Sequence, residues 1–486
     1  MEHAPAEHVN DRPAKPGNPN GTRTSFIASM PPGLRPASSR GSEEPPSESD
    51  PMPLVPNKAS AVIRAACRRN GATAAVALAA FALLGCGCSP TPSRVTALAP
   101  PVSGAPGSGD PALALDPAGG DVLLAWLAGD GAGWRIWFSR SHDHGATWSA
   151  PVPVSPPDEP LALRPESSPV LLCDDHRRVG LAWSTAVEIA GRPEPASDLR
   201  FARSLDGGKS WGAPVTVNDD ATSGPGDHAW EDAEMLPNGA LFAAWLDGRP
   251  GGERLDADES EGVDASIHVA RSDDFGASWG KNVAEWSRVC TSCRIALAAD
   301  AFGRPVVAFR RHYPGQVRDV VLGRPDTPPT HAFADQWSTS ESPGSGPALE
   351  FSRDATLRLA WFTGAPGREG VWFRQTIPEQ LDSASTPLVV LRGEHLPIVH
   401  VDLGEAGMAG TLIACDADST GDRRLTLVHI EASGRRVVER IVVAATDGAS
   451  TPRVTASPTS RQAYVAWTTL EGGRSQLKLL RWDPGR

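Results

Sequence analysis

Tyrosine is nearly absent: the chain has 2 Tyr against 15 Trp and 12 Phe in 486 residues. Any chemistry that needs a phenol must use Tyr313 or Tyr464, and the tryptophan excess points to a niche that recurs through the structure. Positive charge is in short supply too. With 46 Lys and Arg against 58 Asp and Glu, the net charge is −12, which excludes a general nucleic-acid binder that must neutralise phosphates. Long runs of helix-forming residues are scarce, whereas Gly (48) and Pro (46) are plentiful. One extended apolar run exists, GATAAVALAAFALLG at 71–85, and it is too short to cross a bilayer, which takes about 20 residues.

That run ends at Cys86 and follows Arg64, Arg68 and Arg69. A basic flank, a short apolar core and a small residue before the cut are the parts of a secretory signal; a buried core helix is the plainer alternative. Leu83-Leu84-Gly85-Cys86 resembles the bacterial lipobox, which implies lipidation at Cys86, export, and a partner in the membrane itself. Residues 1–51 have no apolar period and read as a disordered extension. Met52 would start a signal of ordinary length, which makes 1–51 a candidate untranslated segment. The expected division is therefore 1–51 extension, 52–85 signal peptide, 86–93 lipidated linker and 94–486 folded domain. Of the remaining cysteines only Cys290 and Cys293 are closely spaced. In an exported protein they read as a disulfide or as two thiols; zinc would need two further ligands, and no second CxxC exists.

From residue 109 onward one pattern recurs: an apolar run, then Ala, then usually Trp. It reads VLLAW (122–126), VGLAW (179–183), LFAAW (241–245), PVVAF (305–309), LRLAW (357–361), TLIAC (411–415) and AYVAW (463–467). Each copy sits between strand-like segments, for example ALALD (112–116) before and RIWFSRS (135–141) after, and some units add a fourth such as PLVVL (387–391). Alternating apolar and branched residues bounded by Gly, Asp and Pro mean strands. Four antiparallel strands repeated every 50–60 residues or so mean an all-β propeller. Seven units predict seven blades, with six as the alternative. The seventh unit runs out after its third strand, so RVTAL (94–98) is expected to complete the last blade and remove the open edge.

Three units carry a further signature after their third strand: SHDHGATW (141–148), SLDGGKSW (204–211) and SDDFGASW (272–279). The shared frame is Ser141, Asp143, Gly145, Trp148; Ser204, Asp206, Gly208, Trp211; and Ser272, Asp274, Gly276, Trp279. This frame resembles the Asp-box, or BNR repeat, of sialidases and other propellers. A catalytic reading of Ser141, His142 and Asp143 fails, because the sister copies discard both histidines. The chemistry suits a turn instead: Asp accepts backbone N–H groups, Gly takes positive φ, and Trp buries a ring.

If these turns join strands three and four, the opposite face is built from the two-to-three loops and the connections between blades. Polar outliers collect there in the third and fourth units, placing Asp232, Asp247, Arg249, Arg294, Arg310, Arg311, Tyr313, Arg318 and Asp319 around one end of the channel. Guanidinium forks hold carboxylates or sulfates in a bidentate way, and the same arginines would equally serve ion pairs with the aspartates. Loop 253–264 holds Glu253, Asp256, Asp258, Glu259, Glu261 and Asp264; it reads as calcium ligands or as a solvated acidic loop. No other metal site or cofactor is expected, and the chain is expected to be monomeric.

The sialidase resemblance implies three arginines on a sugar carboxylate and a tyrosine nucleophile assisted by Glu, for which Tyr313 is the candidate. The chain departs from that family. An early F/Y-R-I-P motif is missing, WRIWF (134–138) lies in a third strand, and sialidases have six blades. The nearer resemblance is to exported sialidase-like proteins with Cys-x-x-Cys-Arg before an Arg-Asp strand, here CTSCRIALAAD and QVRDVV. Two functions are carried forward. One is non-catalytic binding of a glycan or protein on the face opposite the turns. The alternative is hydrolysis of an anionic sugar, as by an exo-α-sialidase.

Overall fold

A computed structural model describes residues 91–485 apart from 103, 118–119, 130–132, 192–194, 221–225, 250–264, 341–342, 353–354, 381–385, 394–395 and 445–447. Cys86, segments 1–51 and 52–85, most of the 86–93 linker and the acidic 253–264 loop lie outside the described residues.

Among the described residues, seven four-stranded antiparallel sheets follow one another in chain order as the blades of a propeller. The innermost strands are Gly107–Leu115, Val170–Cys173, His228–Met235, Ala296–Ala299, Ala348–Phe351, Val401–Glu405 and Ser450–Ala456, opening blades one to seven. All seven apolar-Ala-Trp segments form the second strands. These strands are clamped between neighbouring blades on both faces, so they are mostly apolar runs instead of alternating; Val122–Gly129 is buried at every residue. Trp126, Trp245 and Trp361 are fully enclosed there. The outermost strands are short or half wet, as in Val437–Val442, where half-buried and exposed positions alternate. Fourth strands at Val283–Ser287, Thr330–His331 and Val437–Val442 complete blades three, four and six, whose sequence carries little sign of them.

The ring closes as expected. Arg94–Leu98 pairs antiparallel with Leu479–Asp483, so the first strand of the chain becomes the fourth strand of blade seven. Six blades are excluded.

The three S-x-D-x-G turns lie between strands three and four and have one geometry. In the second, Ser204 Oγ accepts the Gly208 N–H at 2.8 Å and donates to Asp206 at 2.8 Å. Asp206 in turn accepts the Ser210 N–H at 2.9 Å and its hydroxyl at 2.6 Å. Those bonds hold the Asp206 carboxyl down at about 2, and Asp143 and Asp274 likewise. Each glycine also touches the preceding blade. A Cβ on Gly208 would stand 1.9 Å from the Phe138 ring, one on Gly276 2.0 Å from Phe201, and one on Gly145 2.6 Å from Leu98 of the closing strand. The tryptophans extend that contact: Trp211 and Trp279 pack edge-on against Phe138 and Phe201 at 5.4 Å. Each turn therefore docks one blade onto the blade before it.

Gly208→Ala should lower the thermal midpoint sharply. Its φ of +87° is left-handed, and the methyl must displace a ring, together costing about 2–4 kcal/mol. Gly212→Ala, with 3.6 Å to its nearest neighbour, should melt like the wild type; equal losses in both would mean the blade contact is not what the glycine protects.

Candidate functional site

The innermost strands and the connections that enter them enclose a central cavity of about 250 Å³. Each inner strand runs from the face opposite the S-x-D-x-G turns toward the face that carries them, so position in the strand gives depth in the channel. The deeper part is acidic. Burial, with Asp232 and Glu350 adding their charge, pushes the Glu234 carboxyl up to about 8. Burial, with Glu405 outweighed in part by Arg358, does the same to Glu350. Asp232 is raised to about 6, against the N–H of Leu297 that it accepts at 2.7 Å. Near neutral pH, Glu234 and Glu350 therefore stand mainly as neutral acids.

The mouth of the channel is built differently. The connection from blade one to blade two, residues 154–169, carries Glu166 over the axis, with its side chain wholly buried. One carboxylate oxygen accepts the N–H of Gly346, from the entry to blade five, at 3.1 Å. The other stands 4.0 Å from Arg294 Nε and 4.0 Å from His400 Nε2, from the entries to blades four and six. Arg453, on the inner strand of blade seven, donates to the Glu166 carbonyl at 3.4 Å. Blades two, four, five, six and seven thus converge on one residue.

Each of these cations has a fixed stem. Arg294 follows the Cys290–Cys293 disulfide, and its outer nitrogen donates to the carbonyls of Val401 at 2.7 Å and Pro347 at 3.2 Å. His400 Nδ1 is bonded to Asp416 at 2.6 Å, which turns Nε2 toward Glu166. Burial alone would lower the His400 pKa, but the charges of Glu166 and Asp416 outweigh it and raise it. Burial pushes Arg453 down to about 10, still charged near neutral pH.

The residues singled out from sequence fall into three places. Asp232 and Arg294 line the cavity. Asp247 and Arg249 belong to a buried network beside it: Arg249 bonds Asp247, Asp219 at 2.8 Å and Asn282 at 3.0 Å. Asp247 also lies 3.3 Å from His228 Nε2 and is held well below the usual carboxylate range by His228 and Arg249 despite its burial. The rest gather within and behind blade four. Arg310 is 1% exposed and donates to the carbonyls of Ser345, Arg318 and Phe362, so it ties blade four to blade five. Asp319 is fully buried and accepts the Trp337 N–H at 3.3 Å. Arg318 donates to Thr339 O at 3.4 Å. Arg311 lies over the Tyr313 ring, which stacks on His331 of the outermost strand at 4.9 Å.

Neither tyrosine lines the cavity. Tyr464 is buried in the second strand of blade seven, its hydroxyl 3.2 Å from His144.

No protein-family model matches the chain, and no curated protein matches it. Solved structures do. A protein of unknown function from Dyadobacter fermentans is 14% identical over 80% of this chain and 99% of its own, with a TM-score of 0.47. An alpha-L-arabinofuranosidase from Fusarium graminearum is 13% identical over 81% and 98%, at 0.44. The Trypanosoma rangeli sialidase is 12% identical over 81% of this chain and 59% of its own, at 0.45. At these values the likeness is one of overall shape.

Glu166, His400 and Arg453 carry no local motif. For Arg453 alone the repeat offers a signal: Asp232, Asp402 and Arg453 each pair with the alanine before the last residue of the apolar-Ala-Trp segment, so charge recurs at one inner-strand position.

Proposed function

We propose that the protein, exported and held at a membrane by a lipid on Cys86, binds an anionic glycan at the channel mouth opposite the S-x-D-x-G turns and does not hydrolyse it. The observation that supports this most is the convergence of Arg294 and His400 on the Glu166 carboxylate at that mouth, with Arg453 on the carbonyl of the same residue. Positive groups with fixed stems in a partly dry site suit a carboxylate or sulfate on a sugar. Hydrolysis of the sialidase type lacks its nucleophile, since Tyr313 and Tyr464 both lie away from the cavity. A second reading rests on Glu234 and Glu350: carboxyls held protonated near neutral pH are the general acids that a glycosidase uses.

Calorimetry with 3′-sialyllactose and lactose, beside a fluorogenic sialoside assay, separates these readings. The expected result is binding of sialyllactose but not lactose, weakened about tenfold or more in Arg294→Met, with no turnover. Turnover lost in Glu234→Gln would install the second reading. Turnover lost in Tyr313→Phe would overturn the non-catalytic reading outright.

A further inference from the structure

We infer that the connection between blades one and two is a self-inhibiting strap, whose Glu166 carboxylate occupies the position a ligand's anionic group would take. This rests on the anion-binding reading above. The strap is tethered at two ends, by the bridge of Leu161 to Thr185 and by the inner strand that begins at Val170. Between them, besides the Glu166 contacts described above, the Ala162 N–H donates to the Ser184 carbonyl at 3.0 Å and Arg164 stands 3.8 Å from Asp227. Trp230 Nε1 donates to the Pro165 carbonyl at 3.0 Å, and Arg164 lies over the Trp230 ring while donating to Ser197 at 3.1 Å.

Two features distinguish a resident occupant from a permanent latch. Glu166 reaches the axis only with a left-handed backbone, φ +60°, a conformation that a non-glycine residue keeps only when its surroundings impose it. Its contact with the cations is also open. Glu166 Oε1 and Arg294 Nε are both buried and neither makes a hydrogen bond, although they face each other at 4.0 Å. A buried ion pair that serves structure closes to about 2.7–2.9 Å, because otherwise the lost hydration is not recovered. A carboxylate or sulfate on a free ligand, not bound to the strap's backbone, can settle into both arginines where Glu166 stops short. Ligand affinity is then reduced by the fraction of molecules whose strap is open.

Titration of 3′-sialyllactose into the purified chain tests this. Glu166→Ala should bind about tenfold tighter than wild type or better, and Glu166→Ala/Arg294→Met should lose that gain. Asp175→Asn removes the same charge from an exposed turn on the other face and should change nothing. Glu166→Gln keeps the side-chain volume and should gain as well. Should both Glu166 variants fail to fold, Trp230→Ala loosens the strap without touching Arg294 or Arg453 and is expected to give the gain; an unchanged affinity there counts against the strap. Equal or weaker binding by folded Glu166 variants, with wild type still binding through Arg294, makes Glu166 a fixed plug: the strap is then wrong and the anion site stands. No binding by wild type or any variant overturns both.

Discussion

Deletion of residues 91–99 should yield a chain that elutes from a sizing column as aggregate, with no cooperative melting transition. The segment supplies all the pairing on one side of Arg474–Asp483, through five partnered residues from Arg94↔Asp483 to Leu98↔Leu479. It also packs beside buried apolar residues of that strand. Trp482 is fully buried and Leu479 and Leu480 nearly so, and Val95 packs in the cluster that holds Trp482. On the other side Leu98 meets Gly145 of blade one, and the Ala99 carbonyl accepts Trp148 Nε1 at 3.0 Å. Without the segment a strand edge lies open beside apolar side chains, which is a template for pairing with other chains. The ring also loses the strand pairing that joins its two ends, so the loss is of the order of the whole margin of about 5–15 kcal/mol that keeps a domain folded. A truncated chain that stays monomeric and melts within a few degrees of wild type would show that the propeller closes by blade contacts alone. Adding a synthetic peptide of residues 91–99 should restore part of the monomer peak.

Much of this frame is legible in the sequence because burial on both faces writes itself into the second strands. VLLAW and LRLAW have no polar member or only Arg358, and the Ala-Trp ending recurs because every blade has the same wedge to fill. The missing fourth strand of the last unit is legible for a related reason: a repeat that stops early must be completed from somewhere. The outer strands of blades three, four and six are not, since Val283–Ser287, Thr330–His331 and Val437–Val442 are half-buried or exposed at nearly every residue, so little apolar pattern is imposed on them. The site is harder still. Arg294 and Asp232 could be placed near the channel, but Glu166 meets Gly346 across 180 positions and Arg453 across 287. Contacts made through the centre of a ring have no local spacing. Arg310 shows the opposite limit. In FRRHYP it looks like a loop arginine free to meet a ligand, yet strand two continues to Tyr313, and its guanidinium turns inward to carbonyls 35 and 52 residues away.

Arg310→Met is the substitution from which the largest single-residue loss is expected, and that loss should grow with pH. Arg310 lies over the Trp337 ring at 4.9 Å, and three carbonyls accept its protons: Phe362 at 2.9 Å, Arg318 at 2.8 Å and Ser345 at 3.3 Å. Methionine fills similar volume but leaves those acceptors dry, and each buried orphan costs about 1–3 kcal/mol. Removal of the cation acts on two neighbouring carboxyls as well. Burial already raises Asp319, which is fully enclosed, and raises Asp335 to about 6, while Arg310 pulls both down. In the variant both rise further. A carboxyl whose folded pKa lies above its unfolded value stabilises the fold fully below the unfolded value of about 4 and loses that contribution as pH rises through the folded one. The wild type loses the Asp335 contribution between about pH 4 and 6; the variant continues to lose stability above pH 6. Denaturant unfolding should therefore show a deficit of about 3–5 kcal/mol at pH 8 and a distinctly smaller one at pH 5. Arg310→Lys, which keeps the charge and loses the fork, should retain the wild-type pH profile with an intermediate loss. A deficit for Arg310→Met that is the same at both pH values would mean the arginine acts through its carbonyl bonds alone and that Asp319 and Asp335 do not sense its charge.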